Sequence, residues 1–289
     1  MQEQEKIKGP LGIIAGGGQL PCVVAEAAEA RGLPLHIVGI RGEASPAIER
    51  FPHTWIKWGE FGKLFAALND NACRDLVIIG GVTRPDPSNI RLDLGALKNL
   101  PFLLSLGKGG DDHVLSNVVR FFEKKGYRVH GAGDVVPELL VEEGVLGKIT
   151  PSAADRADID LAFKVVDALG RLDVGQAAVV IKGYVVAVEA AEGTDAMLDR
   201  CATLRESGRT RGSGRTGVLV KMPKPGQEER VDLPTIGPET VKKASAAGLA
   251  GVAVAAGRVL MAERGATIET ANQNGLFLLG QNLAARPDR

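Results

Sequence analysis

The densest gathering of groups able to handle phosphate lies in VKMPKPGQEERVDLPTIGP (220–238), where Lys221, Lys224 and Arg230 stand around Asp232. Four prolines stiffen this segment, so opposite charges are assembled on a restricted backbone. Lysine and arginine neutralise a phosphate or diphosphate, while a carboxylate holds a hard cation or orients a water molecule. A rigid surface loop with solvated charges has the same composition, and the residues alone do not separate the two.

Two further sets of carboxylates sit in glycine-rich context. GKGGDDH (107–113) sets Asp111 and Asp112 at a helix start. One aspartate there is explained as an N-cap, which stabilises a helix by about 1 kcal/mol. The second raises the case for a bound cation, because adjacent negative charges repel. EGTDAM (192–197) places Glu192 at the end of an apolar run, with Asp195 either a cap or a site acid. His36, His53, His113 and His130 have no metal-ligand spacing, and no serine elbow, nucleophilic cysteine motif or P-loop is present. Oxygen donors without His or Cys clusters favour Mg²⁺ or Mn²⁺. Cys22, Cys73 and Cys201 are odd in number and far apart, as expected of packing residues in a reducing compartment.

IAGGGQLP (14–21) carries Gly16, Gly17 and Gly18 after an apolar strand. A dinucleotide fingerprint requires a small glycine at the sixth position, where this chain has Pro21, and LHIVGI (35–40) is followed by no clear ribose-binding acid, only Arg41 and Glu43. The glycines are therefore expected to form a turn for a polar ligand. An NAD(P)- or nucleotide-sugar-binding oxidoreductase is the competing class, and a noncatalytic nucleotide-binding regulator is the third.

These residues need a scaffold. LGIIA, LHIVGI, DLVIIGG and YRVHGAG alternate with segments of helical period, notably 21–31, 60–68 and 112–125, the rhythm of a parallel α/β sheet. Loops at 16–18, 80–85 and 131–134 would then share the carboxyl edge, where such sheets bind ligands. Past Thr150, Pro151 and Ser152 the pattern changes. The expected division is a Rossmann-like domain over 1–148 and a second α/β domain over 149–289, with strands around Lys182 and Gly183, helices at 153–169, 195–204 and 239–247, and a hairpin around Ala256 and Gly257. The 289 residues are 45% hydrophobic, enough for two cores. Zero net charge and 4% aromatics argue against a nucleic-acid partner. The N-terminus lacks a signal-peptide core, and no run approaches the roughly 20 apolar residues of a membrane span, so a cytoplasmic protein is expected. Nothing opposes assembly into a homo-oligomer.

Across nearly its whole length the chain resembles the I-type UDP-2,3-diacylglucosamine pyrophosphatases of lipid A biosynthesis. The resemblance is carried by LGIIAGGGQLP, GGVTRP, GKGGDDHVLSNVVRFFEKKGYRVHGA, AVEAAEGTDAML and KMPKPGQEERVDLPTIGPETV, in that order. It implies a Rossmann-like N-terminal domain and a distinct C-terminal domain with substrate bound between them. It further implies divalent-metal-dependent hydrolysis of a lipid-linked UDP-sugar to 2,3-diacylglucosamine 1-phosphate and UMP, water attacking the β-phosphate, and peripheral contact with the inner membrane. Carried over by position, Asp232 is the residue expected to bind Mg²⁺ or orient water, with Glu192, Asp195, Asp111 and Asp112 as weaker candidates. Lys221, Lys224 and Arg230 are expected at the diphosphate, and Gly16, Gly17, Gly18, Thr83 and Arg84 at the nucleotide or glucosamine.

Overall fold

The structure, a computed structural model, describes residues 7, 9–83, 92–99, 102, 111–210 and 214–283, with the backbone alone at 111–113. The chain divides into two compact units, Met1–Pro137 with Glu228–Asp232, and Glu138–Gln227 with Leu233–Arg289.

The first unit is built on a five-stranded sheet in the order β3-β2-β1-β4-β5, from β1 (Leu11–Ala15), β2 (Leu35–Ile40), β3 (His53–Ile56), β4 (Asp75–Ile79) and β5 (Arg128–His130). Every pairing is parallel. β1 and β2 are buried along their whole length, which is why they are continuous apolar runs rather than alternating ones. The short β3 is an addition to the strands expected from sequence. Helix Phe61–Asp70 and helix Asp111–Lys124 pack on one face, where Leu64, Leu68, Val119, Phe121 and Phe122 join strand residues Val38, Ile56 and Leu76 in one core. The rings of Phe102 and Phe121 stack there at 3.8 Å. The chain leaves β1 towards β2 and β3, then returns to the opposite side of β1 at β4. The carboxyl ends of β1 and β4 are thus the topological switch point, where doubly wound sheets bind ligands.

The second unit has a six-stranded sheet, β6-β13-β11-β9-β7-β8, from β6 (Gly144–Val145), β7 (Ala177–Ile181), β8 (Tyr184–Val188), β9 (Val218–Lys221), β11 (Gly251–Ala255) and β13 (Phe277–Gln281). β9, β11 and β13 run parallel, and β6, β7 and β8 join antiparallel. The hairpin at Lys182 and Gly183 has positive φ at both positions, 51° and 75°, the geometry of a two-residue turn matched to strand twist. Asp158, 5% exposed on helix Ala153–Gly170, accepts both turn amides at 2.8 and 2.6 Å.

Two differences from the sequence reading have local causes. Residues 138–148, expected in the first domain, belong to the second unit because β6 pairs with Leu279 and Gly280. Residues 251–261 form no hairpin. β12 (Leu260–Met261) leaves the main sheet and pairs in parallel with β10 (Thr235–Ile236), while the Gly257 amide bonds to the Val141 carbonyl at 2.7 Å.

Candidate functional site

The glycine turn after β1 is approached most closely by its own protein. A Cβ at Gly16 would lie 2.6 Å from the carbonyl oxygens of both Gly80 and Gly81, and one at Gly80 would lie 2.6 Å from that of Gly17. Gly17 and Gly81 exchange backbone hydrogen bonds of 2.6 and 3.2 Å. The loops after β1 and β4 are therefore stitched together at the switch point, and backbone contact alone accounts for glycine at 16 and 80. Gly18 differs: its φ is 86° and the space around it is open.

The loop after β2 joins them. Glu43 accepts the Thr83 amide at 3.1 Å and its hydroxyl at 2.5 Å, and the Glu43 carbonyl lies 3.2 Å from a Cβ position on Gly17. After β5, the Asp134 carboxylate accepts the Gly131 amide at 2.8 Å. Arg84 lies outside the described residues, as do the side chains of Asp111 and Asp112, whose backbone opens helix Asp111–Lys124.

Asp232 belongs to the first unit together with the rest of Glu228–Asp232, while the flanking parts of the proline-rich segment belong to the second. It is partly exposed, and its amide donates to the Glu228 carbonyl at 3.1 Å. Val231 packs against the aromatic core of that unit. Arg230 is engaged on three sides, with Nε and Nη2 each 2.8 Å from an oxygen of Glu228 and Nη1 2.7 Å from Glu123. Hydrogen bonding to Glu228 raises the Arg230 guanidinium above its ordinary value, and the same bond holds the Glu228 carboxyl below its own.

In the second unit Lys221 ends β9 only 8% exposed, its ammonium donating to the Thr235 carbonyl at 3.1 Å. Lys224 pairs with Asp173. The loop at 224–227 closes by reciprocal bonds between Lys224 and Gln227, and Gly170 lets it approach the end of helix Ala153–Gly170. Glu192 does not project freely from its strand. It accepts the Ala190 amide at 3.2 Å and Arg200 at 2.8 Å just before helix Gly193–Glu206. Asp195 is exposed in the first turn of that helix. Among the described residues no group of three or more His, Cys, Asp or Glu side chains is arranged to hold a metal. The donors offered by Asp232, Glu192 and Asp195 are carboxylate oxygens, which suit a hard cation.

Several polar groups escaped the sequence reading. Glu189, 6% exposed at the end of β8, accepts the Thr194 hydroxyl at 2.6 Å and the Gln176 amide at 3.1 Å. Asp75 is fully buried, held by Arg128 at 2.7 and 2.8 Å and by His130 at 2.8 Å. Its only signal is an acid beginning an apolar strand opposite an arginine beginning the next. The three free cysteines are buried, and burial pushes the Cys201 thiol up to about 11, which makes it a packing group rather than a nucleophile.

Two family models match the chain, the LpxI N-terminal domain over residues 10–139 and the LpxI C-terminal domain over residues 142–279. The UDP-2,3-diacylglucosamine pyrophosphatase LpxI of Caulobacter vibrioides is 47% identical over 277 residues, covering 96% of this chain and 99% of that one. Among solved structures, the N5-carboxyaminoimidazole ribonucleotide synthetase of Thermotoga maritima aligns with 64% of this chain and 42% of its own at 13% identity, with a TM-score of 0.23. With both domain models matched in sequence order and a relative of that identity along nearly the full length, the chain belongs to the LpxI family.

Proposed function

We propose that this protein hydrolyses UDP-2,3-diacylglucosamine to 2,3-diacylglucosamine 1-phosphate and UMP. The observation that carries the reading is the end-to-end identity of 47% with a pyrophosphatase of that substrate. The stitched loops at the switch point and the placement of Asp232 in the same unit support it.

In this reading Asp232 is the catalytic residue that orients the attacking water or binds Mg²⁺, with Mn²⁺ as a substitute. Its partly exposed position can admit a ligand. Lys221 and Lys224 provide positive charge for the diphosphate, although each already has a protein partner that it must share or release. Gly18 and Thr83 face the nucleotide or sugar, Glu43 holding Thr83 in place. Glu192 and Asp195 are the remaining acids, and the first is tied to Arg200. A bound Mg²⁺ would stabilise charge on the diphosphate as UMP leaves. The water is directed at the β-phosphate, on the sugar side.

A lipid substrate calls for peripheral contact with the inner membrane from a cytoplasmic protein. Leu92, Leu94 and Leu97 are 41, 78 and 53% exposed beside Lys98 on or next to helix Leu94–Lys98, a surface suited to an acyl boundary. Among the described residues no helix is long and apolar enough to cross a membrane. The test is incubation of purified protein with UDP-2,3-diacylglucosamine and Mg²⁺, with separation of products. UMP and the sugar phosphate are expected, and intact substrate would refute the reading.

A further inference from the structure

We propose that Glu123, Arg230 and Glu228 form a latch that sets the position of Asp232, which makes Glu123 a positioning residue for hydrolysis; this rests on the catalytic reading of Asp232. Glu123 lies in the last turn of helix Asp111–Lys124, 107 residues before Arg230 in the chain, and the two meet at 2.7 Å. The rest of the guanidinium grips both oxygens of Glu228. Two carboxylates thus face one arginine, and Arg230 can meet a diphosphate only by releasing one of them. Its placement suits holding the segment better than holding substrate.

The hold is transmitted through backbone. The Val231 and Asp232 amides both donate to the Glu228 carbonyl, at 3.2 and 3.1 Å, so the residue clamped by Arg230 also fixes the backbone that bears Asp232. Below the turn, Val231 rests on the aromatic core, and the Arg230 Cα lies 3.6 Å from the position a Cβ would take on Gly131. Gly131 follows β5, so the segment is seated against the carboxyl edge of the sheet. Arg230 and Glu123 are 39 and 43% exposed. Exposed ion pairs contribute little to stability, about 0–1 kcal/mol, whereas a misplacement of about 1 Å at a reacting group costs on the order of 100-fold in rate. The magnitudes assign the pair to orientation.

The test uses full-length Glu123→Gln, Arg230→Gln, their double variant and Glu123→Asp. It measures kcat, KM, melting temperature and amide exchange at Val231 and Asp232. Each single Gln variant is expected to lower kcat about tenfold, within the range positioning effects reach, with KM close to wild type. The melting temperature should stay close to wild type in Glu123→Gln and fall modestly in Arg230→Gln, which also removes the guanidinium bonds to Glu228. The double should lose no more than either single, Glu123→Asp should recover part of the loss, and exchange should quicken in the Gln variants. Wild-type turnover with wild-type exchange in Glu123→Gln would overturn the latch, as would losses that add in the double or a loss in Glu123→Gln that follows a falling melting temperature. Asp232→Ala is measured alongside. Near-normal turnover there removes Asp232 itself, while an inactive Asp232→Ala beside a fully active Glu123→Gln removes the latch alone.

Discussion

A methyl group on Gly16 would meet two backbone oxygens at 2.6 Å, neither of which can swing aside. Gly16→Ala should cost about 3 kcal/mol, at the upper end of overpacking effects. At Gly18 the space is open and only the left-handed backbone is lost, so Gly18→Ala should cost about 1 kcal/mol. Urea unfolding of the two variants checks this, and equal midpoints would contradict it. Asp232→Ala should lower kcat by a factor on the order of 100 or more while the melting temperature hardly moves, since the role proposed for it is orientation and charge at the reaction rather than packing. At this scale the sequence disclosed residue types and left their partners hidden. Lys224 and Asp173 are 51 residues apart and meet only because helix Ala153–Gly170 ends against the loop. Glu192, just before helix Gly193–Glu206, pairs with Arg200 eight residues on, beyond the three- and four-residue spacing by which helix neighbours are read from sequence. The glycine run was read as a turn for a polar ligand, but what comes close to Gly16 and Gly17 is backbone of the protein itself, chiefly a second glycine loop after β4, while Gly18 has open space around it.

Helices were the most legible elements, since apolar stripes at 3.6-residue spacing mark them directly. Helix Ala153–Gly170 and helix Asp111–Lys124 lie within a residue or two of their expected bounds. The turn at Lys182 and Gly183 was equally plain, whereas its support was not: Asp158 is 24 residues upstream of Lys182. Asp158→Asn should leave one of the two turn amides poorly satisfied and cost about 1–3 kcal/mol, readable as a lowered denaturation midpoint with unchanged circular dichroism. The absent hairpin at 251–261 was hidden because β12 finds its partner in β10 rather than in its own neighbour. Glu228 gives this level a pH dependence. Because Arg230 holds its carboxyl below the ordinary value of about 4.3, its stabilising contribution is present above that value and is lost as pH falls through the lowered one. Glu228→Gln should therefore melt below wild type at pH 7 and converge with it in acid. A constant difference across a melting series from pH 7 to about pH 3 would contradict the linkage.

At the scale of the molecule, the alternation of strands and helices announced two α/β cores, and the strand order of the first puts its switch point at the carboxyl ends of β1 and β4, next to the glycine loops. What the pattern could not disclose is that residues 228–232 belong with the first unit, although the chain around them belongs to the second. No periodicity marks five residues held by one arginine and one valine. Metal dependence also belongs to this scale. Chelation should abolish turnover, and Mg²⁺ or Mn²⁺ should restore it better than Zn²⁺, because the proposed donors are carboxylate oxygens; full activity in chelator would remove the cation from the account. The most direct measurement is hydrolysis of UDP-2,3-diacylglucosamine in oxygen-18 water, followed by mass spectrometry of both products. Attack at the β-phosphate predicts the label in 2,3-diacylglucosamine 1-phosphate and none in UMP. Label in UMP would contradict the proposed direction of attack, and unconsumed substrate would contradict the proposed activity itself.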